Sequence, residues 1–118
     1  MDCFKFRVWR KKEEYMNRSR QAVANIIKLF ILEDPKKDDY ILMPYIGLKD
    51  KDNEEIYEKD ILIDNAGEKY ICEWGEIEAG FYLYQISSAR TFYFPDFDKN
   101  ELKIIGNIYE NKELIGEE

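Results

Sequence analysis

The residues best able to do chemistry are acidic. Asp50, Asp52, Glu54, Glu55 and Asp60 crowd one short stretch, and such a set of hard oxygen ligands can hold a divalent cation. An EF-hand loop needs acids at alternate positions, glycine at the sixth and glutamate at the twelfth. Counted from Asp50, the acids at Asp52 and Glu54 fit, but Glu55 stands in the glycine place and Ile61 in the glutamate place. A metal-dependent enzyme built on residues 50–60 is therefore the weakest functional reading, and no metal ligand or cofactor site is assigned. The chain has no histidine, which removes imidazole bases, Ser-His-Asp triads, Cys-His dyads and histidine-ligated zinc. Cys3 and Cys72 have no partner set nearby in sequence and are expected to be reduced thiols. Ser87 and Ser88 lack the strand-Gly-x-Ser-x-Gly-helix setting of an activated serine and read as loop hydroxyls. Carboxylates are so abundant that no pair stands out for acid–base work. No catalytic residue is assigned, and an enzyme is not expected.

Two clusters suit binding rather than catalysis. At the N-terminal end Arg7, Arg10, Lys11, Lys12 and Arg18, with Lys5 and Arg20, are interleaved with Phe4, Phe6, Trp9 and Tyr15. Phosphate pairing plus base stacking is how such a mixture would hold a nucleic acid. The bland alternative is a half-buried strand whose aromatic residues point inward and whose basic residues point to water. Further on, Tyr82, Tyr84, Phe92, Tyr93, Phe94 and Phe97 form the densest aromatic stretch. Tyr82, Tyr84, Phe92 and Tyr93 are the candidate partner-binding residues, because aromatic side chains give large contact area at low entropic cost.

These clusters must be positioned by a small fold. At 118 residues, 45% hydrophobic and 15% aromatic, with 36% charged, the chain has the size and composition of a folded globular domain. We expect a single domain over residues 1–118. Net charge is −7 but uneven: residues 1–39 hold ten basic against seven acidic residues, and residues 40–118 hold eight against eighteen. A polyanion-binding role for the whole chain is excluded on that balance, leaving only a local basic face.

Phe4, Phe6 and Val8 alternate with Lys5 and Arg7, which predicts a strand with Arg7 facing solvent. Residues 10–20 read as turn or loop. Val23, Ile26, Ile27 and Phe30 recur at helical spacing, with Asn17 or Ser19 as N-cap and Asp34-Pro35 as a stop, predicting a helix over about residues 20–32. The run from Ile26 to Leu32 also has the length and composition of a strand, and periodicity does not separate the two. Downstream, a further apolar stretch spans residues 40–45 and ends near Pro44, and residues 48–55 read as a loop. Strands are predicted near residues 61–63, 68–74, 81–86, 91–94 and 102–109, with Asp64-Asn65-Ala66-Gly67 as a hairpin turn and Gly106 as a bulge. The fold class is mainly β: a small antiparallel barrel or sandwich with at most one helix.

Leu42-Met43-Pro44-Tyr45-Ile46-Gly47-Leu48-Lys49-Asp50 followed by Glu55-Ile56-Tyr57-Glu58-Lys59-Asp60-Ile61 resembles the central motif of the YopX family of phage and prophage proteins. The segment from Ile104 to Leu114 resembles that family's closing motif, and Lys5-Phe6-Arg7-Val8-Trp9 its opening one. The chain departs from the family pattern at Glu54 and Lys59, where glycine is usual, and at Pro44, where glutamine is usual. The resemblance implies a mainly β fold and a phage or prophage origin, and it implies no catalytic activity. Its motif residues Tyr45, Gly47, Asp50, Ile56, Tyr57, Asp60, Gly106, Asn107 and Tyr109 read as structural. Gly47 and Gly106 suit positive φ or close backbone approach, and Asp60 suits a carboxylate that accepts loop amides.

Three functions are expected, in descending order. The first is a noncatalytic accessory module that binds a protein partner or self-associates through strand edges. The alternative is a nucleic-acid-binding small β-barrel. The third is a metal-dependent enzyme using residues 50–60. Met1-Asp2-Cys3-Phe4-Lys5 lacks signal-peptide character, and no apolar run is long enough to span a membrane. No membrane role is expected, and the expected location is the cytoplasm of a bacterial host cell.

Overall fold

The computed structural model describes residues 5–77, 79–94 and 99–116. Cys3, Phe4 and Phe97 lie outside them. The chain forms two compact units, Met1–Tyr45 and Ile46–Glu118, and it is mainly β with antiparallel pairing.

In the first unit β1 (Phe6–Arg10) is central, flanked by β2 (Tyr15–Asn17) and by the first half of β3 (Tyr40–Lys49). The region expected to be loop thus contains a strand. Trp9 pairs with Met16 and Arg10 with Tyr15, and the connecting turn leaves Glu14 at φ 50°. Residues 20–32 resolve to a helix, α1 (Arg20–Ile31). Ser19 caps it by accepting the Ala22 amide at 3.5 Å. The predicted apolar stripe packs as expected: Val23 and Ile26 with Ile27 and Phe30 meet Val8, Phe6, Tyr40 and Leu42. Asp34 then accepts the Lys36 amide at 2.9 Å and starts a 3₁₀ turn over Pro35–Asp39.

Arg7 does not face solvent, as the alternation of its strand predicts. It lies opposite Met43, on the strand face that also carries Trp9, and is 2% exposed, as deeply buried as the apolar residues around it. A central strand buried on both faces loses the inside–outside meaning of its alternation. The stretch from Tyr40 does not stop at Pro44 either: Phe6 pairs with Pro44, the Tyr45 amide donates to the Lys5 carbonyl at 2.8 Å, and β3 runs on to Lys49.

In the second unit β3 is followed by β4 (Glu55–Tyr57), which hydrogen-bonds to it, across a tight turn in which Asn53 sits at φ 65°. A five-stranded sheet comes next, from β5 (Asp60–Ile63), β6 (Lys69–Gly75), β7 (Gly80–Gln85), β8 (Thr91–Tyr93) and β9 (Lys103–Asn107), in the order β8-β7-β6-β5-β9. The predicted turn forms: Asp64 Oδ1 accepts the Ala66 and Glu68 amides at 2.9 Å, and Gly67 takes φ 87°. One face of the sheet carries the core, Leu62, Tyr70, Cys72 and Leu83 with Ile56 and Leu102, joined by Phe81, Phe92, Phe94 and Ile104. Cys72 is fully buried in that core. Among the described residues no helix is long and apolar enough to cross a membrane.

Candidate partner-binding surface

Alternation along β6, β7 and β8 divides the aromatic cluster. Leu83 pairs with Phe92, and both belong to the core face. The Phe92 ring meets Tyr70 edge-on with centroids 6.0 Å apart. Phe92 is therefore mainly a packing residue. Tyr82, Tyr84 and Tyr93 point to the opposite face, where Tyr82 pairs with Tyr93 and Tyr84 with Thr91. Tyr93 is 55% exposed. Sequence pattern thus places the four candidate residues on strands but mixes their two faces.

Beside these tyrosines lies an open groove of about 380 Å³, bounded by residues 74–77, Tyr82 and β8. Gly75 pairs with Gly80, ending the β6–β7 ladder, and the turn beyond it carries Glu76 and Ile77. Ile77 is 97% exposed, and Trp74, whose indole stacks edge-on against Phe81 with centroids 4.9 Å apart, is 42% exposed. An isoleucine fully in water next to a half-exposed tryptophan is costly unless a partner covers it. Between the strands predicted near residues 68–74 and 81–86 the sequence singles out neither Trp74 nor Ile77, whose nearness in the chain was the available signal.

The basic cluster is largely engaged. Arg7 is buried. Arg10 lies over the Tyr40 ring at 5.7 Å and 3.2 Å from Glu13, an ion pair without hydrogen-bond alignment. Lys12 lies 3.4 Å from Asp39. Lys11 and Arg18 are exposed. A nucleic-acid surface would have to rest on these two and the exposed Arg20, with Glu13 and Glu14 close by in the chain and the Lys11 amide bonded to the Asp39 carbonyl at 3.0 Å.

The motif carboxylates are hydrogen-bond acceptors for the backbone. Asp50, 4% exposed, takes the Asp52 and Glu54 amides on Oδ1 and the Ile104 amide on Oδ2, each at 2.9 Å. Asp60, 2% exposed, takes the Tyr57 amide at 2.8 Å. Among the described residues no three His, Cys, Asp or Glu gather as metal ligands. Lys59, just before Asp60, adopts φ 73°, which explains why glycine is usual there. Burial works to lower the Lys59 ammonium, but the hydrogen bond to Glu73 and the charges of Glu73, Glu58 and Tyr109 outweigh it, and the group ends above its ordinary value.

The remaining motif residues lie in turns, ladder positions and packing contacts. Gly47 takes φ 89°. Lys5 Nζ stands 5.8 Å from the centre of the Tyr45 ring. Ile56 and Tyr57 are buried on β4. Opposite β5 the register of β9 slips between Ile61 and Leu62, so Gly106 lies at the expected bulge. A Cβ there would stand 2.6 Å from Asn111 Cγ, which is the close approach anticipated. Asn107 Oδ1 accepts the Tyr109 and Glu110 amides, and its own amide donates to Asn111 Oδ1 at 3.1 Å. The Ile108 amide reaches the Lys59 carbonyl at 3.2 Å, joining the central motif to the closing one. Ser87 donates to Glu68 at 2.7 Å and Ser88 to Gln85, as loop hydroxyls do.

None of the curated proteins matches the sequence. Among solved structures, protein EF1440 from Enterococcus faecalis is similar in fold, with a TM-score of 0.64 at 20% identity, over 94% of this chain and 96% of that one. The family described as YopX protein matches residues 5–116. Since that match takes in both units and all three motifs, the chain belongs to the YopX family.

Proposed function

We propose that this YopX protein is a noncatalytic accessory module of a phage or prophage, acting in the host cytoplasm by binding a protein through the groove beside Tyr82 and Tyr93. The observation that carries the reading is the exposed apolar and aromatic surface of Ile77 and Tyr93 beside Tyr82 at one concave site. Protein contact sites are enriched in such side chains, and among the described residues this one has no convergent titratable pair of the kind that acid–base catalysis needs.

Affinity capture from a prophage-induced lysate, with and without nuclease, tests it when native protein is compared with the Tyr82→Ala/Tyr93→Ala variant. A protein held by the native chain after nuclease and lost by the folded variant is the expected outcome. Partners that vanish with nuclease would overturn it and move attention to Lys11 and Arg18. Self-association through the same surface is read by light scattering over a concentration series.

A further inference from the structure

The chemistry of the groove narrows the class of partner, on the footing that the groove binds protein at all. Among the described residues its lining holds one charged side chain, Glu76, and no basic one. Glu76 is exposed and makes no ion pair among the described residues, whereas Glu73 on the neighbouring strand is already taken by Lys59. Tyr82 and Tyr93 are direct cross-strand partners, a placement that sets two ring systems about 5 Å apart at their Cβ atoms. The faces of such rings carry negative potential and attract cations. Ile77, 97% exposed at the groove's edge, supplies the apolar surface that a long aliphatic stem needs. Residues 40–118, from which the groove is built, hold eight basic against eighteen acidic residues, so the surrounding field favours the same sign of ligand.

We infer that the groove between the β6–β7 turn and β8 recognises a basic protein segment, with an arginine or lysine side chain laid across Tyr82 and Tyr93 and its charge against Glu76. Arginine fits better than lysine, because its planar guanidinium stacks on a ring while still donating to a carboxylate.

The test uses the full chain labelled with ¹⁵N and three capped serine–leucine peptides that are identical except for two central arginines, glutamines or glutamates. The arginine peptide is expected to shift the Glu76, Tyr82 and Tyr93 amides saturably. The glutamine peptide should bind roughly fivefold to tenfold more weakly, from the combined loss of a cation–π contact and an exposed ion pair. Glu76→Gln, an exposed turn substitution whose fold the same spectrum verifies, should weaken the arginine peptide roughly threefold and leave the glutamine peptide unchanged. Equal binding of the three peptides at the groove would overturn the cation preference and leave the protein-binding reading standing. Absence of any groove shift with the arginine peptide would overturn the inference as well, while the Tyr82- and Tyr93-dependent capture decides the broader reading by itself.

Discussion

Asp50 Oδ2 accepts the Ile104 amide at 2.9 Å although the two residues lie 54 apart in the chain. With its other oxygen Asp50 also fixes the turn from Asp50 to Glu54, so one buried carboxylate ties the middle of the sequence to β9. A residue that could have opened a cation loop has both oxygens committed to main-chain donors.

Removing that carboxylate leaves three amides without their acceptor. Asp50→Ala is expected to lose about 3 kcal/mol of unfolding free energy, and Asp50→Asn, which keeps one carbonyl acceptor, about half of that. Urea denaturation followed by circular dichroism measures both. Millimolar magnesium, manganese or calcium should leave the native melting temperature where it is. A metal-dependent rise lost in Asp50→Asn would return the loop to metal chemistry.

Lys59 occupies a left-handed backbone position, which costs a residue with a Cβ about 1 kcal/mol relative to glycine. It also holds the partly buried ion pair with Glu73. Comparing Lys59→Gly with Lys59→Ala separates the two, since both lose the ion pair and only one relieves the backbone. The glycine variant should be the more stable by about 1 kcal/mol in urea. Equal stabilities would contradict the strain argument.

At Gly106 the obstacle is a neighbour. Gly106→Ala drives a methyl into the Asn111 side chain, and a loss of about 1–3 kcal/mol is expected. Asn111→Ala removes the two closest obstructing atoms, leaving only Cβ at 3.0 Å, along with the acceptor for the Asn107 amide. The double variant should therefore fall well short of the sum of the singles in thermal or urea unfolding, the coupling expected of residues in contact. Additive losses would count against the collision.

Alkaline pH acts through Tyr70. Burial, the hydrogen bond to Asp64 at 2.8 Å and the nearby carboxylates push its phenol from 10.0 up to about 12. A group raised in the folded state stabilises it fully below the unfolded value and loses that contribution as pH climbs through the folded one. Lys59, also raised, acts in the same sense above 10.5. Melting temperature should therefore fall between pH 10 and 12. Tyr70→Phe should cost about 1 kcal/mol at pH 8 through the lost hydrogen bond, and its melting curve should depend less on pH. A parallel decline in both proteins would assign the alkaline loss elsewhere.

Local chemistry was legible in the sequence wherever a residue's role depends on its near neighbours. Val23, Ile26, Ile27 and Phe30 sit on the inward stripe of α1, Asp64 and Gly67 close the turn they promised, and Gly106 lies at its bulge. Arg7 was not legible, because alternation says that a strand has two faces and leaves open whether both are covered. β2 was hidden for a related reason: its three residues are too few for a period and are recognisable only by their pairing with β1. In the groove Tyr82 and Tyr93 could be named, but their separation from Phe92 needed the register of β7 on β8. Lys59 is the instructive case: it takes φ 73° where glycine is usual, whereas at Glu54, the other usual glycine place, the positive φ falls on Asn53 instead.

The reach of Asp50 to β9 also sets a timetable for synthesis. The first unit draws its pairings from β1, β2 and the opening half of β3, so its contacts are available as soon as that stretch has left the ribosome. The second unit cannot finish: β5 waits for β9 as its second neighbour, and Asp50 waits for Ile104. Until translation delivers β9, the nascent chain carries a sheet with an open flank and a turn whose anchoring carboxylate lacks one of its amides. That interval is when it is most exposed to misassembly.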